Sequence, residues 1–309
     1  MLAMLTSLRQ WLAYVAIRLV ICVVQAVPLS ACHAGSRLLA TLFNDVLRLR
    51  RKVIAENLLH AYPELTEDQR RGLARRMWEH LFLFAAEVAH TPRRVHETNW
   101  RQFVEVRGGE RLVRMLLEDR ALLMVSAHFG NFELCGYVMA LFGYQTHAVA
   151  RTLDNPYLDE WINRFRGSTG QKILSKRGDY ERIVDLLATG GIIGFLADQY
   201  AGSKGCWVQF FDRPASAHKA IALFSLHNDA PVVVGACRRI GGPLEYCMEL
   251  TAVADPREVS SEVSGMRELT QWYTSELEKI IRQAPEQYWW LHRRWKDHRP
   301  AKKHRKQAA

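Results

Sequence analysis

From residue 121 to residue 283, short apolar runs alternate with stretches of helical spacing, and nothing else in the chain constrains its fold as strongly. The apolar runs fall at 121–126 (ALLMVS), 146–150, 172–174, 191–196, 230–237 and 246–250. Helical patterns occupy the intervals: one begins near Phe132, and others span 156–166, 180–189, 219–227 and 263–283. Strand and helix taking turns predict an α/β fold with a mixed, mainly parallel central sheet flanked by helices. Sites in such folds gather beyond the carboxyl ends of strands, and both His128 and Asp198 directly follow one. Upstream, residues 36–90 read as helical. Thr66 and Gln69 form a capping-box signature ahead of Leu73, Met77, Trp78, Leu81 and Phe82.

The first long apolar stretch, 11–29, is interrupted by Arg18 and Gln25 and closed by Pro28. It lacks the short core and clean cleavage site of a signal peptide. A charge at the centre of a lone span costs ~2.5–3.5 kcal/mol, so the sequence favours a helix lying in, or dipping partly through, the inner leaflet with Arg18 snorkelling to the headgroups. A single span and a buried helix are the alternatives. No other stretch approaches membrane-spanning length, which excludes a polytopic membrane protein.

The formal charge of +10 is carried by the two ends. Residues 1–53 hold seven bases against Asp45, and residues 291–309 hold eight against Asp297. The segment between them has 27 bases and 30 acids. Basic ends around a near-neutral body suit an anionic membrane surface better than nucleic acid, whose binders carry charge on a folded face. The six cysteines form no CxxC and have no histidine at ligand spacing, which reads as free thiols in a reducing compartment. No HExxH, GxGxxG or GxxxxGK[ST] is present, so no metal, dinucleotide or ATP cofactor is expected.

The sharpest local signal is HFGNFE at 128–133. Five helical steps of ~100° place two residues ~140° apart. His128 and Glu133 therefore converge only if the histidine sits on a strand-end loop, Gly130 permits a bend and Glu133 lies in the first turn of a helix capped by Asn131. A carboxylate on one ring nitrogen would fix the tautomer and free the other nitrogen as a general base. Ser126 lies outside any nucleophile elbow, so the histidine would deprotonate a substrate hydroxyl directly. A structural histidine, satisfied by its neighbours, is the bland alternative. The same pair could activate water in a lipid hydrolase or thioesterase.

HFGNFE after an apolar strand resembles the H-x4-D/E signature of the lysophospholipid acyltransferase superfamily. Further residues resemble its bacterial lipid A late acyltransferase branch: Arg151 with Asn155-Pro156, Arg166 after the following helix, Asp198-Gln199-Tyr200, and Phe210-Phe211 followed by Ala215. APEQYWWLHRRWK at 284–296 is similar to the closing run of that branch. The resemblance spans about residues 8–298. It implies a glycerol-3-phosphate acyltransferase-like fold and transfer of a fatty acyl chain from an acyl-carrier-protein thioester to a hydroxyl of a lipid A precursor, at the cytoplasmic face of the inner membrane.

In that reading His128 is the general base and Glu133 its orienting carboxylate. Arg166 stabilises charge or contacts phosphate, with Arg164 competing for the role. Asp198 has a supporting polar role, and Arg151 and Asn155 position substrate. The second acid of the family's D-x-D-Y-G element is missing, and Ala217 stands where a threonine is common. Phosphatidylinositol-mannoside acyltransferases, which share much of the pattern and use acyl-CoA, are the second reading. His292 is not expected to be the base, because no H-x4-E geometry accompanies it. The expected organisation is an anchor over 1–35, an acyltransferase domain over 36–300 (helical to 100, α/β over 101–284, aromatic and basic over 285–300) and a basic tail over 301–309.

Overall fold

The computed structural model describes residues 2–118, 120–175, 178–258, 260 and 263–296. The basic tail at 301–309 and the end of the closing segment lie outside them. Seven strands form the central sheet: β1 (Val104–Arg107), β2 (Leu122–Ser126), β3 (Thr146–Ala150), β4 (Lys172–Ser175), β5 (Ile192–Leu196), β8 (Val232–Arg239) and β9 (Tyr246–Ala254). Their order is β1-β9-β8-β2-β5-β3-β4, and every pairing is parallel except β8 with β9. A separate antiparallel hairpin joins β6 (Cys206–Phe210) to β7 (Arg213–Ala217). The mixed, mainly parallel sheet is the one expected from the alternation.

Period-two patterning sends alternate residues of the central strands into two cores. Leu123, Val125, Ile193, Val232 and Val234 face one core, with Ile183 and Leu187 of α8 (Tyr180–Ala188), Ile221 of α9 (Ala220–His227) and Leu277 and Ile281 of α10 (Met266–Gln283). Leu122, Val233 and Met248 face the other, with Leu112 of α5 (Gly109–Leu116) and Leu134 and Val138 of α6 (Phe132–Leu141). Phe165 of α7 (Pro156–Gly167) packs at its edge.

The helical N-terminal third comprises α1 (Leu2–Ala26), α2 (Leu29–Thr41), α3 (Arg51–Ala61) and α4 (Glu67–Arg94). The capping box at Thr66 and Gln69 opens α4. Glu87 of α4 is fully buried, where Arg239, the Leu244 amide and the Tyr246 hydroxyl (2.6 Å) all donate to it. This network fastens the helical third to the end of β8 and the start of β9.

One side of α1 lies against α4 and α7. Gln25 donates to the Ala89 carbonyl (2.7 Å), Asn155 donates to the Gln10 carbonyl (2.8 Å), and the Arg18 guanidinium stacks over Trp161 at 5.5 Å. Arg18 thus meets an aromatic face of the protein, where snorkelling to headgroups was expected; a cation–π contact offers that charge a partner within the fold. The opposite side of α1 exposes Leu12, Leu19, Val20 and Val23, each more than half accessible. The helix is long and apolar enough to cross a membrane, and none of its apolar window is buried in the fold.

Candidate active site

Strands β2 and β5 run parallel with Ser126 opposite Leu196. The Ala197 amide continues the ladder to the Ser126 carbonyl (2.9 Å). One residue further on, the chains carry His128 and Asp198 side by side at the carboxyl edge. One carboxylate oxygen, Oδ1, accepts from both the His128 backbone N–H (3.1 Å) and the ring Nδ1 (2.8 Å). A carboxylate can only accept here, so Nδ1 carries a proton, and in the neutral ring Nε2 presents its lone pair. That lone pair faces the side-chain amide of Gln199 at 3.3 Å, and the same amide nitrogen lies 3.0 Å from Nε2 of His292.

The electrostatics follow from this geometry. Burial opposes charge on His128, but the Asp198 carboxylate outweighs it. Glu133 adds to the effect and Arg166 subtracts, leaving the imidazole above its ordinary 6.5. Burial likewise pushes Asp198 up, yet the His128 ring and backbone amide bring it down to about 2. His292 moves the other way: burial first, then the neighbouring His128, hold it below 6.5. Titratable groups whose environments drive them apart mark a functional site more often than a structural one.

Glu133 does not orient His128 in this structure, which corrects the sequence expectation. From the first turn of α6 its two carboxylate oxygens grip Arg166 in the last turn of α7, with Nε to Oε2 at 2.9 Å and the terminal nitrogen to Oε1 at 2.5 Å. The reason is positional: β-sheet register delivers Asp198 to the ring, while helix phase turns Glu133 toward α7. Its influence on His128 is through space only. Arg164, two residues earlier, sits ~200° around the helix and forms an exposed pair with Glu160 (2.6 Å), so the competition for the site falls to Arg166.

Arg151 and Asn155 are not brought to the histidine. Arg151 pairs with Asp154 at the surface (2.7 Å), and Asn155 caps α7, accepting from the Tyr157 and Leu158 amides. Among the described residues no cluster of three or more His, Cys, Asp or Glu could hold a metal.

The closing run, far away in sequence, braces the loop. Gly130 has φ +58°, and a Cβ there would collide with the Cys237 carbonyl. Its amide donates to the Gln287 carbonyl (3.1 Å), Trp289 N–H donates to the His128 carbonyl (3.1 Å), and Asn131 caps α6 through the Leu134 amide (2.9 Å). The rings of Phe132, Trp289 and His292 lie 5.3–5.5 Å from that of His128. Gln199 and His292 were not singled out from the sequence as site residues. Their only signals were adjacency to Asp198 and membership of the closing run.

Beneath α6 an apolar cavity of about 160 Å³ runs across the sheet. Ser126, Glu133 and Arg166 are among its polar lining, while Leu112, Phe132, Met139, Met248 and Leu250 are among its apolar lining. Buried carboxylate and paired arginine therefore adjoin a space suited to hydrocarbon, and Phe132 in its wall packs 5.3 Å from the His128 ring.

Comparison with known proteins adds an independent finding. The family model described as bacterial lipid A biosynthesis acyltransferase matches residues 2–297. The chain is similar to the lipid A biosynthesis lauroyltransferase of Escherichia coli (strain K12), 26% identical over 296 residues, covering 93% of this chain and 92% of the relative. It is 25% identical over 294 residues, with the same two shares, to the lipid A biosynthesis palmitoleoyltransferase of that organism and to a lipid A biosynthesis acyltransferase of Shigella flexneri.

Proposed function

The chain belongs to the bacterial lipid A biosynthesis acyltransferase family and is an acyltransferase, and we propose that it moves a fatty acyl chain from an acyl-carrier-protein thioester to a hydroxyl of a lipid A precursor. The observation that carries the mechanism is the His128–Asp198 hydrogen bond, which fixes a ring proton on Nδ1 and turns Nε2 toward the Gln199 amide, ready to accept a proton.

In the proposed step an acceptor hydroxyl displaces the Gln199 amide and gives its proton to Nε2 of His128. Its oxygen attacks the thioester carbonyl, and the carbonyl electron pair moves to oxygen. Arg166, gripped by Glu133 through Nε and one terminal nitrogen, offers its remaining donors to that oxyanion. Collapse restores the carbonyl and breaks the carbon–sulfur bond, and the imidazolium returns the proton to the leaving thiolate. The acyl chain lies in the cavity under α6. Glu133 serves here as the anchor of Arg166, with Asp198 as the orienting acid. The exposed apolar face of α1 supports a seat in a membrane, which this reading assigns to the cytoplasmic face of the inner membrane.

Incubating the full chain with acyl-carrier-protein thioester and a lipid A precursor tests this reading. A glycolipid heavier by one acyl group is expected, and free fatty acid without acylated lipid would overturn it in favour of a hydrolase.

A further inference from the structure

The two basic ends of the sequence meet beside the active site. Arg50 donates to the Leu291 carbonyl (3.0 Å), 241 residues away, and the Asn57 amide holds the carbonyls of Trp290 (2.8 Å) and His292 (2.5 Å). Between the two segments lies an open cleft of about 730 Å³ lined by six cations: Arg48, Arg50, Arg51, Lys52, Arg293 and Lys296. No acidic residue lines it, and none of the six forms an ion pair among the described residues. Unlike the cavity under α6, it has Val53 as its single aliphatic wall residue. Gln199 and His292 form the wall it shares with the His128 ring.

We propose that this cleft binds the phosphate groups of the acceptor's headgroup and so delivers its hydroxyl to His128. The inference rests on the reading of His128 as the base. Arginine-rich concavities without counter-charges are made for phosphate, whose oxygens accept paired guanidinium bonds. The side of approach also fits. Nε2 of His128 faces Gln199, a cleft residue, whereas the space for the acyl chain opens past Phe132 and Glu133. Headgroup and hydrocarbon thus reach the ring from different sides, and the oxygen to be acylated arrives at the nitrogen that deprotonates it. A concave cleft sharing a wall with the reacting ring suits a headgroup better than the convex surface of a carrier protein.

The test combines Arg51→Gln, Lys52→Gln and Arg293→Gln in the full chain. These three exposed side chains make no hydrogen bond or ion pair among the described residues, so their loss leaves the fold intact. Binding is measured to vesicles carrying a phosphorylated glucosamine glycolipid, to the same vesicles after phosphatase treatment, and to phosphatidylglycerol vesicles, with inorganic phosphate as competitor. The acceptor kcat/KM is measured in parallel.

The wild-type chain should prefer the phosphorylated glycolipid, and the triple variant should narrow that preference by about tenfold or more, since charge-assisted bonds to phosphate are the strong ones. An unchanged preference overturns the proposal. So does an equal loss on phosphatidylglycerol, a rise in donor KM alone, or displacement by inorganic phosphate as effective as by the glycolipid. If wild type binds with the expected preference yet acylates no glycolipid, the proposed function falls and the cleft stands. If acylation proceeds and the variant keeps its preference, the cleft falls and the function stands.

Discussion

Asp198 spends a single oxygen on two bonds to His128, one to its backbone amide and one to its ring. The first fixes where the residue sits and the second fixes which way the imidazole points. Asp198→Asn retains shape but presents an amide that can turn its NH2 toward Nδ1 and so favour the wrong tautomer. Acyl transfer should fall by about 10²–10⁴-fold, the usual worth of a positioned general base, with the acceptor KM little changed. Glu133→Gln should act differently. It releases Arg166, so kcat falls, while the acid limb of the pH profile moves down less than in Asp198→Asn, because Glu133 acts on the ring only through space. Initial-rate kinetics of the two variants separate the roles; equal shifts of the acid limb would mean that both acids orient the ring.

Gly130 tests the loop. Alanine there must adopt a left-handed backbone that costs of order 1–3 kcal/mol, and its Cβ must also push away the Cys237 carbonyl. Gly130→Ala should lower the thermal midpoint in detergent and reduce turnover by more than the loss of folded protein explains. Wild-type activity and midpoint together would show that the loop does not need this turn.

The outward face of α1 tests the membrane seat. Replacing Leu19, Val20 and Val23 with serine removes three exposed apolar side chains, each worth ~1.5–3 kcal/mol on burial. The variant should move from the membrane pellet to the soluble fraction while its activity in detergent persists. Retention in the pellet would place the anchor elsewhere.

Much of the site could be read before the fold was known, because its signals are local. An apolar run predicts β2, HFGN predicts a strand-end loop, and Asn131 is a helix cap wherever that helix points. The choice of acid could not be read locally. Whether Asp198 or Glu133 meets His128 depends on β2 pairing with β5 in one register, a relation between segments about 70 residues apart. Gln199 and His292 have the same non-local origin. The β6–β7 hairpin escaped notice because Phe211 and Asp212 take the positive-φ positions of its tight turn, where a sequence reading looks for Asn-Gly or Asp-Gly. The convergence of the two basic ends was likewise invisible until the Arg50–Leu291 bond brought them together.

The most direct test of the central claim is the pH profile of kcat/KM for acyl transfer, wild type against Asp198→Asn. Because Asp198 raises His128 above its ordinary 6.5, the base is protonated and idle at low pH. Its ion pair with Asp198 stabilises the fold most fully below 6.5, and that contribution is lost as pH rises through the folded value. Activity should therefore rise with pH through a midpoint above 6.5. In Asp198→Asn the midpoint should move down and the plateau should fall by about 10²-fold or more. A wild-type profile with no acid limb above 6.5, or an Asn variant with the same midpoint and plateau as wild type, would contradict the assignment of His128 as the base held by Asp198.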